Sequence, residues 1–411
     1  MRILLATMWL VPHVGGVWNF MQQLQNRLTY MGHTVDLLGN SPDYGKFHIV
    51  NRGQELPKEL LLPMLNAKLN AGSSPMVTSE EILQFYEFER YCLELSAAFF
   101  GLDQYDIIHT QDIFAARSLG RVKPKHVPLI SHVHGSVAKE MHDHFLSHPE
   151  KGILPGSPTW RYFPEVEYQA GMSADLTIAA NQWSKNMLVG EYGVSDHQVT
   201  VFPYGMETGT FYAKMLAGTP TKRPAGKKVI ICAARLVAVK GIDVLLTALS
   251  MLKQMRNDWV CWIVGDGEMR DALQELTVSL ALQQEVFFHG TRNDVPGMLN
   301  ESDIFVHTCI QDNQPYSVME AQLAGLPSVV SNAGGLPEMV QHGVTGLVSS
   351  VGDACSVAQH LYLLLDDDEY RLTLGRNAQA FANSYWSMDL MIDRLMAIYN
   401  QAITQKSHLK G

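Results

Sequence analysis

Cysteine is scarce: Cys92, Cys232, Cys261, Cys309 and Cys355 are the five in a chain of 411 residues, and they are scattered. No Cys-x-x-Cys pair suggests a zinc or redox site. Cys232, Cys261 and Cys309 lie inside strand-like apolar runs, so they read as small core hydrophobes in a reducing compartment. No apolar run approaches the roughly 20 residues that a membrane span needs. The N-terminal Met1-Arg-Ile-Leu-Leu-Ala-Thr-Met-Trp-Leu stretch is short, lacks a small-residue cleavage site and stops at Pro12. It reads as a buried first strand rather than a signal peptide, and the expected place is the cytoplasm. Positive charge is also in deficit, since 31 Lys and Arg against 41 Asp and Glu leave a net charge of -10. Phosphate backbones are bound by clustered cations, so a nucleic-acid partner is disfavoured. The full Gly-x-Gly-x-x-Gly fingerprint is missing, which disfavours a nicotinamide dehydrogenase.

What is present is an ordinary globular composition, 46% hydrophobic and 18% charged, in a chain long enough for two domains. Short apolar runs alternate with longer amphipathic ones. Candidate strands are Ile3–Thr7, Thr34–Leu38, Ile107–His109, Leu129–Val133, Leu176–Ala180 and Val199–Val201, with helical patterns such as Asn19–Tyr30 between them. After Pro203 the rhythm breaks, and Ala217–Lys228 reads as a linker. A second set follows at Lys228–Ala233, Trp259–Val264, Val286–His289, Ile304–His307, Ser328–Val330 and Gly346–Val348. Continuous apolar strands alternating with helices predict parallel sheets covered on both faces. The fold class is therefore α/β, with two doubly wound Rossmann-like domains facing a cleft, over 1–205 and 206–385. From Trp386 onward Met388, Met391, Ile392, Leu395, Ile398, Tyr399 and Ala402 recur at helical spacing. This C-terminal helix, 386–411, has few cations on its polar face and is expected to pack back on the N-terminal domain rather than lie on a membrane.

Ligands of such sheets sit at the carboxyl ends of strands, so the loops there carry the functional reading. After the first strand, Gly15 and Gly16 precede a helix, a pattern that lets backbone approach a phosphate and equally suits a tight turn. His134-Gly135 ends another run; the histidine could donate to a sugar hydroxyl or a leaving oxygen, or be satisfied within its loop. His142, His144 and His148 follow, and a helix would put the last two on one face, which zinc permits but no close cysteine supports. In the second half, Arg235 and Lys240 flank a turn ending in Gly241, where a forked donor and a point charge could neutralise a diphosphate. The plain alternative is a solvated basic pair. Gly265-Asp-Gly267 reads as simple turn chemistry, and His289-Gly-Thr291-Arg292 could meet a nucleobase edge. The densest stretch is Asp312-Asn-Gln-Pro315-Tyr316-Ser317-Val-Met-Glu320, followed by Gly334-Gly335-Leu-Pro337-Glu338. Its two carboxylates are separated by seven residues, one on a loop and one at a helix. Glu320 could accept ribose hydroxyls and Asp312 could reach a sugar ring; alternatively, Glu320 complements a helix dipole.

Together, Arg235, Lys240, Asp312, Glu320 and the Gly334-Gly335-Leu336-Pro337-Glu338 run occur in an order that resembles the retaining GT-B glycosyltransferases of family 4. The resemblance covers nearly the whole chain, is strongest from Lys228 to Val348 and is weakest from Pro42 to Gly101. It implies a sugar transferred from a nucleoside diphosphate, with UDP the expected carrier and GDP or ADP as alternatives. Arg235 and Lys240 match the basic pair on the diphosphate, Glu320 the carboxylate on the ribose, and Asp312 the carboxylate on the donor sugar. At this last place the family usually has Glu. Pro315 precedes Tyr316 and Ser317, whose amides would face sugar and phosphate where many relatives have Phe-Gly. Gly16, beside Gly15, matches the glycine near the β-phosphate, and His134 the histidine that contacts the donor sugar across the cleft. Thr291 and Arg292 match the loop lining the base. Tyr204-Gly205 resembles the family's hinge segment, with Tyr where Asn is common.

No cofactor, metal or protein nucleophile is implied. Front-face attack assisted by the donor phosphate is the usual proposal for such enzymes, and hinge closure would exclude water. The acceptor is left open among a saccharide, a lipid-linked molecule and a small molecule. So is a loose contact at the inner face of the membrane. The segment Leu60-Leu-Leu-Pro-Met-Leu and the aromatics Phe85, Tyr86, Phe88, Tyr91, Phe99 and Phe100 could serve an apolar acceptor, but a helical core is the plainer expectation. A GT-B epimerase or hydrolase, or a non-catalytic nucleotide-sugar binder, are the competing functions.

Overall fold

The computed structural model describes residues 1–12, 16–70, 72–78 and 80–407. The chain divides into two compact units, Met1–Phe202 with Ile392–Gly411, and Pro203–Met391. The C-terminal helix, Met388–Lys406, belongs to the first unit from Ile392 onward.

The first unit is built on an eight-stranded sheet. In chain order its strands are β1 (Arg2–Leu10), β2 (Thr34–Asn40), β3 (Lys46–Ile49), β4 (Gln54–Pro57), β5 (Ile107–Thr110), β6 (Leu129–Val133), β7 (Leu176–Ala179) and β8 (Val199–Val201). Their order across the sheet is β4-β3-β2-β1-β5-β6-β7-β8. From β2 to β8 the pairs are parallel, while β3 and β4 add an antiparallel edge. Sequence reading missed these two strands because each has only four residues and β4 is largely exposed. Several helices here start with a side-chain cap: Asp112 accepts from the Ala115 amide at 2.8 Å and Asn181 from that of Ser184 at 2.8 Å. The returning helix buries Leu395 and Tyr399 in this unit, and the Tyr399 hydroxyl lies 2.7 Å from His109 Nδ1.

The Leu60 segment is the expected helical core only in part. Leu61 and Leu65 are buried, but Leu60, Leu62 and Met64 are exposed, as are Phe85 and Phe99. Among the described residues, no helix is long and apolar enough to cross a membrane.

The second unit is a six-stranded sheet of β9 (Lys228–Ala233), β10 (Trp259–Val264), β11 (Val286–Phe288), β12 (Ile304–His307), β13 (Ser328–Ser331) and β14 (Gly346–Ser349). Every pair is parallel, in the order β11-β10-β9-β12-β13-β14. Val229-Ile-Ile-Cys-Ala233 and Ile304-Phe-Val-His307 are buried throughout, as strands covered on both faces must be. Cys232 and Cys261 are core residues in β9 and β10, whereas Cys309 lies beyond the end of β12. All five cysteines are free thiols, and Cys355 is exposed.

Candidate functional site

Strand order in the second unit reverses between β9 and β12: the chain builds outward from β9 through β10 to β11, then returns and builds through β13 to β14. Loops leaving the carboxyl ends of the two strands at such a point diverge and leave a crevice. The β9 loop carries Arg235 and Lys240; the β12 loop carries Asp312. Two glycines lock them together. Gly241 has φ 60°, and a Cβ there would lie 2.2 Å from the Thr308 carbonyl oxygen. The Thr308 hydroxyl donates to the Gly241 carbonyl at 2.8 Å, and the Ile310 amide to Val239 O at 2.8 Å. Gly334, after β13, has φ 54°, and its Cβ would lie 1.9 Å from the Asp312 carbonyl oxygen, which accepts the Gly335 amide at 3.0 Å. Only glycine tolerates both that backbone region and that approach.

The result is a charged cluster. Lys240 Nζ lies 2.5 Å from Asp312 Oδ2, and His307 Nε2 lies 2.8 Å from the same oxygen. Oδ1 accepts the Asn313 amide at 3.1 Å. Burial works to raise the Asp312 pKa, but the hydrogen bond from His307 and the charge of Lys240 outweigh it and hold the carboxyl down to about 2. Lys240 is therefore not half of a solvated pair. Arg235 is exposed and has no side-chain partner among the described residues.

The helix Tyr316–Leu323 begins at Pro315 with no side-chain cap, as does Ile242–Met255 at Gly241. Their first amides, those of Tyr316 and Ser317 included, point to no carbonyl a turn earlier and can serve an anion. The Tyr316 ring lies parallel to Tyr204 with centroids 6.0 Å apart, and its hydroxyl is buried without a hydrogen-bond partner among the described residues. Burial, then the Glu320 charge, push its pKa up. Gln314 Oε1 accepts the Tyr204 amide at 3.0 Å.

Glu320 stands in the second turn of its helix, and the first turn holds no acid, so the dipole-complementing reading falls. Burial pushes its pKa up to about 7 against the opposing charge of Lys214. The sign follows directly. An acid whose folded pKa lies above its ordinary 4.5 binds more protons folded than unfolded, so it subtracts stability as pH climbs from about 4.5 to about 7. Glu320→Gln should therefore melt at a higher temperature than the parent at pH 8, and the gap should close by pH 5. A thermal melt at the two pH values checks this.

Thr291 is exposed, and Arg292 is committed to its own loop: Nε and Nη2 meet the two oxygens of Asp294 at 2.8 and 2.7 Å. Asp294 also accepts the Thr219 hydroxyl at 2.7 Å, so Arg292 fixes the approach to the helix Val295–Asn300 and its fork is taken.

In the first unit, Gly15 lies outside the described residues. Gly16 is exposed at the start of the helix Gly16–Tyr30, with no atom within 4 Å of where a Cβ would stand. His134 Nε2 is 3.1 Å from Gln111 Oε1, its ring stacks on His132 at 4.4 Å, and burial lowers its pKa to about 3. It is a neutral hydrogen-bonding group rather than a cation. A depression lined by Gln25, Asn26, Thr29, His33 and Asn51 lies by the amino end of β2, away from these carboxyl-end loops.

Among the described residues, one group could hold a metal: ligand atoms of His307, Cys309 and Asp312 lie within 4.8 Å of one another. The donor set fits poorly. Lys240 occupies the Asp312 oxygen that His307 shares, and burial pushes the Cys309 thiol up to about 12, away from the thiolate a metal needs. Asp366, Asp367 and Asp368 spell an Asp-x-Asp pattern, but Asp367 caps a helix and Asp368 pairs with Lys228. Of the histidines, His142 Nε2 lies 2.8 Å from the Trp160 carbonyl and His144 Nε2 2.8 Å from Lys151 Nζ.

His307 and Gln314 were not singled out from sequence. The signal for His307 was a polar residue ending a buried apolar strand shortly before Asp312.

The chain matches two family models: Glycosyltransferase Family 4 over residues 14–209 and Glycosyl transferases group 1 over residues 219–381. It is 25% identical to a GDP-mannose-dependent phosphatidylinositol monomannoside mannosyltransferase of Mycobacterium tuberculosis, over 57% of this chain and 65% of the relative's length. It is also 25% identical to the UDP-Gal:alpha-D-GlcNAc-diphosphoundecaprenol alpha-1,3-galactosyltransferase of Escherichia coli, over 74% and 77% of the two chains. The crystal structure of Anabaena HepE in complex with UDP shares the fold, with a TM-score of 0.68 and 18% identity over 98% of this chain and 100% of that one. The chain belongs to the GT-B, family-4-like glycosyltransferases.

Proposed function

We propose that the protein is a retaining, metal-independent glycosyltransferase whose donor site is the crevice at the carboxyl ends of β9 and β12. The carrying observation is the cluster there: Lys240 and His307 on Asp312, an uncapped helix at Tyr316 and Ser317, and Glu320 one turn further on. Arg235 and Lys240 take the diphosphate, the Tyr316 and Ser317 amides back them, Glu320 accepts the ribose hydroxyls, and Asp312 meets the donor sugar. Thr291 lines the base, with Arg292 shaping that loop through Asp294. Gly15, Gly16 and His134 keep their proposed roles in donor recognition.

Transfer from a nucleoside diphosphate sugar builds positive charge at the anomeric carbon and negative charge on the departing diphosphate. Fixed cations and amides stabilise the latter without a divalent metal. Asp312 is a poor nucleophile, because one oxygen is held by both Lys240 and His307 and its pKa is low. That favours front-face attack by the acceptor, with the donor phosphate taking the proton, over a covalent intermediate. UDP is the proposed carrier, although a GDP-dependent relative also matches. The exposed Leu60, Leu62 and Met64 are the proposed place for an apolar acceptor or a loose membrane contact.

A melting screen with UDP, GDP and ADP sugars tests the reading. A nucleotide sugar at 100 times its dissociation constant should add about 2.7 kcal/mol of stability, and EDTA should leave the shift intact. A shift that EDTA abolishes would end the metal-free proposal, and a β-configured product from an α-linked donor would end the retaining one.

A further inference from the structure

Behind Asp312 stands a side chain that belongs to none of the donor-site motifs. His307 is the last residue of β12, a central strand, and is 1% exposed. Its Nε2 meets the same Asp312 oxygen as Lys240, and its Nδ1 is buried without a hydrogen-bond partner among the described residues. A neutral imidazole with the proton on Nε2 fits both facts. It donates to the carboxylate and leaves a lone pair, not an N–H, unmatched inside. The ring lies nearly parallel to Phe305, at 14° and 6.3 Å, so strand packing sets its plane.

Lys240 and His307 are unlike partners. Lysine is a mobile point charge on a four-carbon stem, and the same ammonium is assigned to the donor diphosphate. As it turns toward that group, Asp312 loses part of its compensating charge in a buried place, where an unpaired carboxylate is costly. A histidine anchored in the strand does not move with it. Aspartate is also one methylene shorter than the usual glutamate, so its carboxylate rests against the strand end, within reach of that ring.

We propose that His307 is the positioning residue for Asp312: it holds Oδ2 against the end of β12, so that Oδ1 stays available to a donor-sugar hydroxyl when Lys240 engages the diphosphate. The inference rests on the donor-site reading above.

The test compares His307→Gln, whose amide nitrogen can reach the Nε2 position, with His307→Asn, whose nitrogen reaches only the Nδ1 position, and with His307→Ala. Affinities for UDP and for UDP-glucose are measured by calorimetry, or for GDP and GDP-mannose if the parent protein selects guanine. Donor kcat and KM are measured alongside. All three variants should bind the bare diphosphate within about twofold of the parent. His307→Asn and His307→Ala should lose about tenfold in kcat and in the extra affinity conferred by the sugar, while His307→Gln keeps most of both. In an Asp312→Asn background, His307→Ala should add less than about a twofold further loss. Parental behaviour of His307→Asn, equal losses for diphosphate and nucleotide sugar, or a full independent loss in the Asp312→Asn background would each overturn the proposal. If the parent binds none of the UDP, GDP and ADP pairs of nucleotide and nucleotide sugar, the donor-site reading itself fails, and that result is visible before any variant is made.

Discussion

Lys240→Ala should lower donor kcat/KM by roughly 100-fold to 1000-fold, the loss that follows removal of one fixed group from a developing negative charge. Two effects combine in that number. The diphosphate loses its point charge, and Asp312 loses the cation 2.5 Å from Oδ2, leaving His307 as its side-chain partner. The second effect also reaches stability. In the parent, Asp312 has a folded pKa of about 2 against an ordinary 3.8, so it adds stability that is complete above about pH 4 and is lost as pH falls through about 2. Without Lys240 that increment shrinks, and the variant should melt lower at pH 7 while the difference narrows toward pH 2. Lys240→Arg should not restore the rate, since a planar fork cannot sit where a compact ammonium contacts both carboxylate and phosphate. Arg235→Ala gives the contrast. Arg235 has no side-chain partner among the described residues, so its loss should weaken transfer and diphosphate affinity with no cost in melting temperature. Near-parental rates in Lys240→Ala would sink the site assignment.

Gly334→Ala is expected to disable donor binding from a residue that has no side chain to offer. At φ 54° an added Cβ would stand 1.9 Å from the Asp312 carbonyl oxygen, a backbone atom that cannot rotate aside. Either Gly334 leaves its left-handed conformation or the Asp312 loop retreats, and both break the Gly335 amide bond to that carbonyl. The strain alone is about 1–3 kcal/mol, and the displaced loop carries Asp312 away from Lys240 and His307. Gly352→Ala is the control, because Gly352 has φ 77° with no atom within 4 Å of its Cβ position. It should cost only the conformational penalty, about 1 kcal/mol, and leave affinity for a nucleotide sugar unchanged. Calorimetry and melting of the two variants separate the terms. Equal loss of affinity in both would mean that Gly334 acts through general destabilisation.

Much of the fold was legible in the strands. Runs such as Val229–Ala233 and Trp259–Val264 are apolar from end to end, and only a parallel sheet covered on both faces makes every residue of a strand a core residue. The short β3 and β4 were not legible, because a four-residue strand with exposed positions carries no period long enough to stand out. The Leu60 segment was legible only in part, for a related reason. Hydrophobicity was visible there, but whether Leu60 or Leu61 faces inward depends on what packs against them.

In the candidate site, Arg235, Lys240, Asp312 and Glu320 were found as residue types in a spacing that resembles a known family's. Their states were not contained in it. Burial in the folded chain lifts the Glu320 pKa to about 7, and the Arg292 fork is taken by Asp294 two residues on. His307 became visible only when the chain returned from β12 and set Asp312 beside it.

By itself, then, the sequence determined two α/β halves and the loops that bear the candidate chemistry, because these depend on hydrophobic period and on residue type. The tertiary structure decided which charges meet, which proton each acid keeps and which glycines cannot be replaced. Burial, hydrogen bonding and backbone approach are properties of atoms brought together across β9, β12 and β13, and no single stretch of chain contains them.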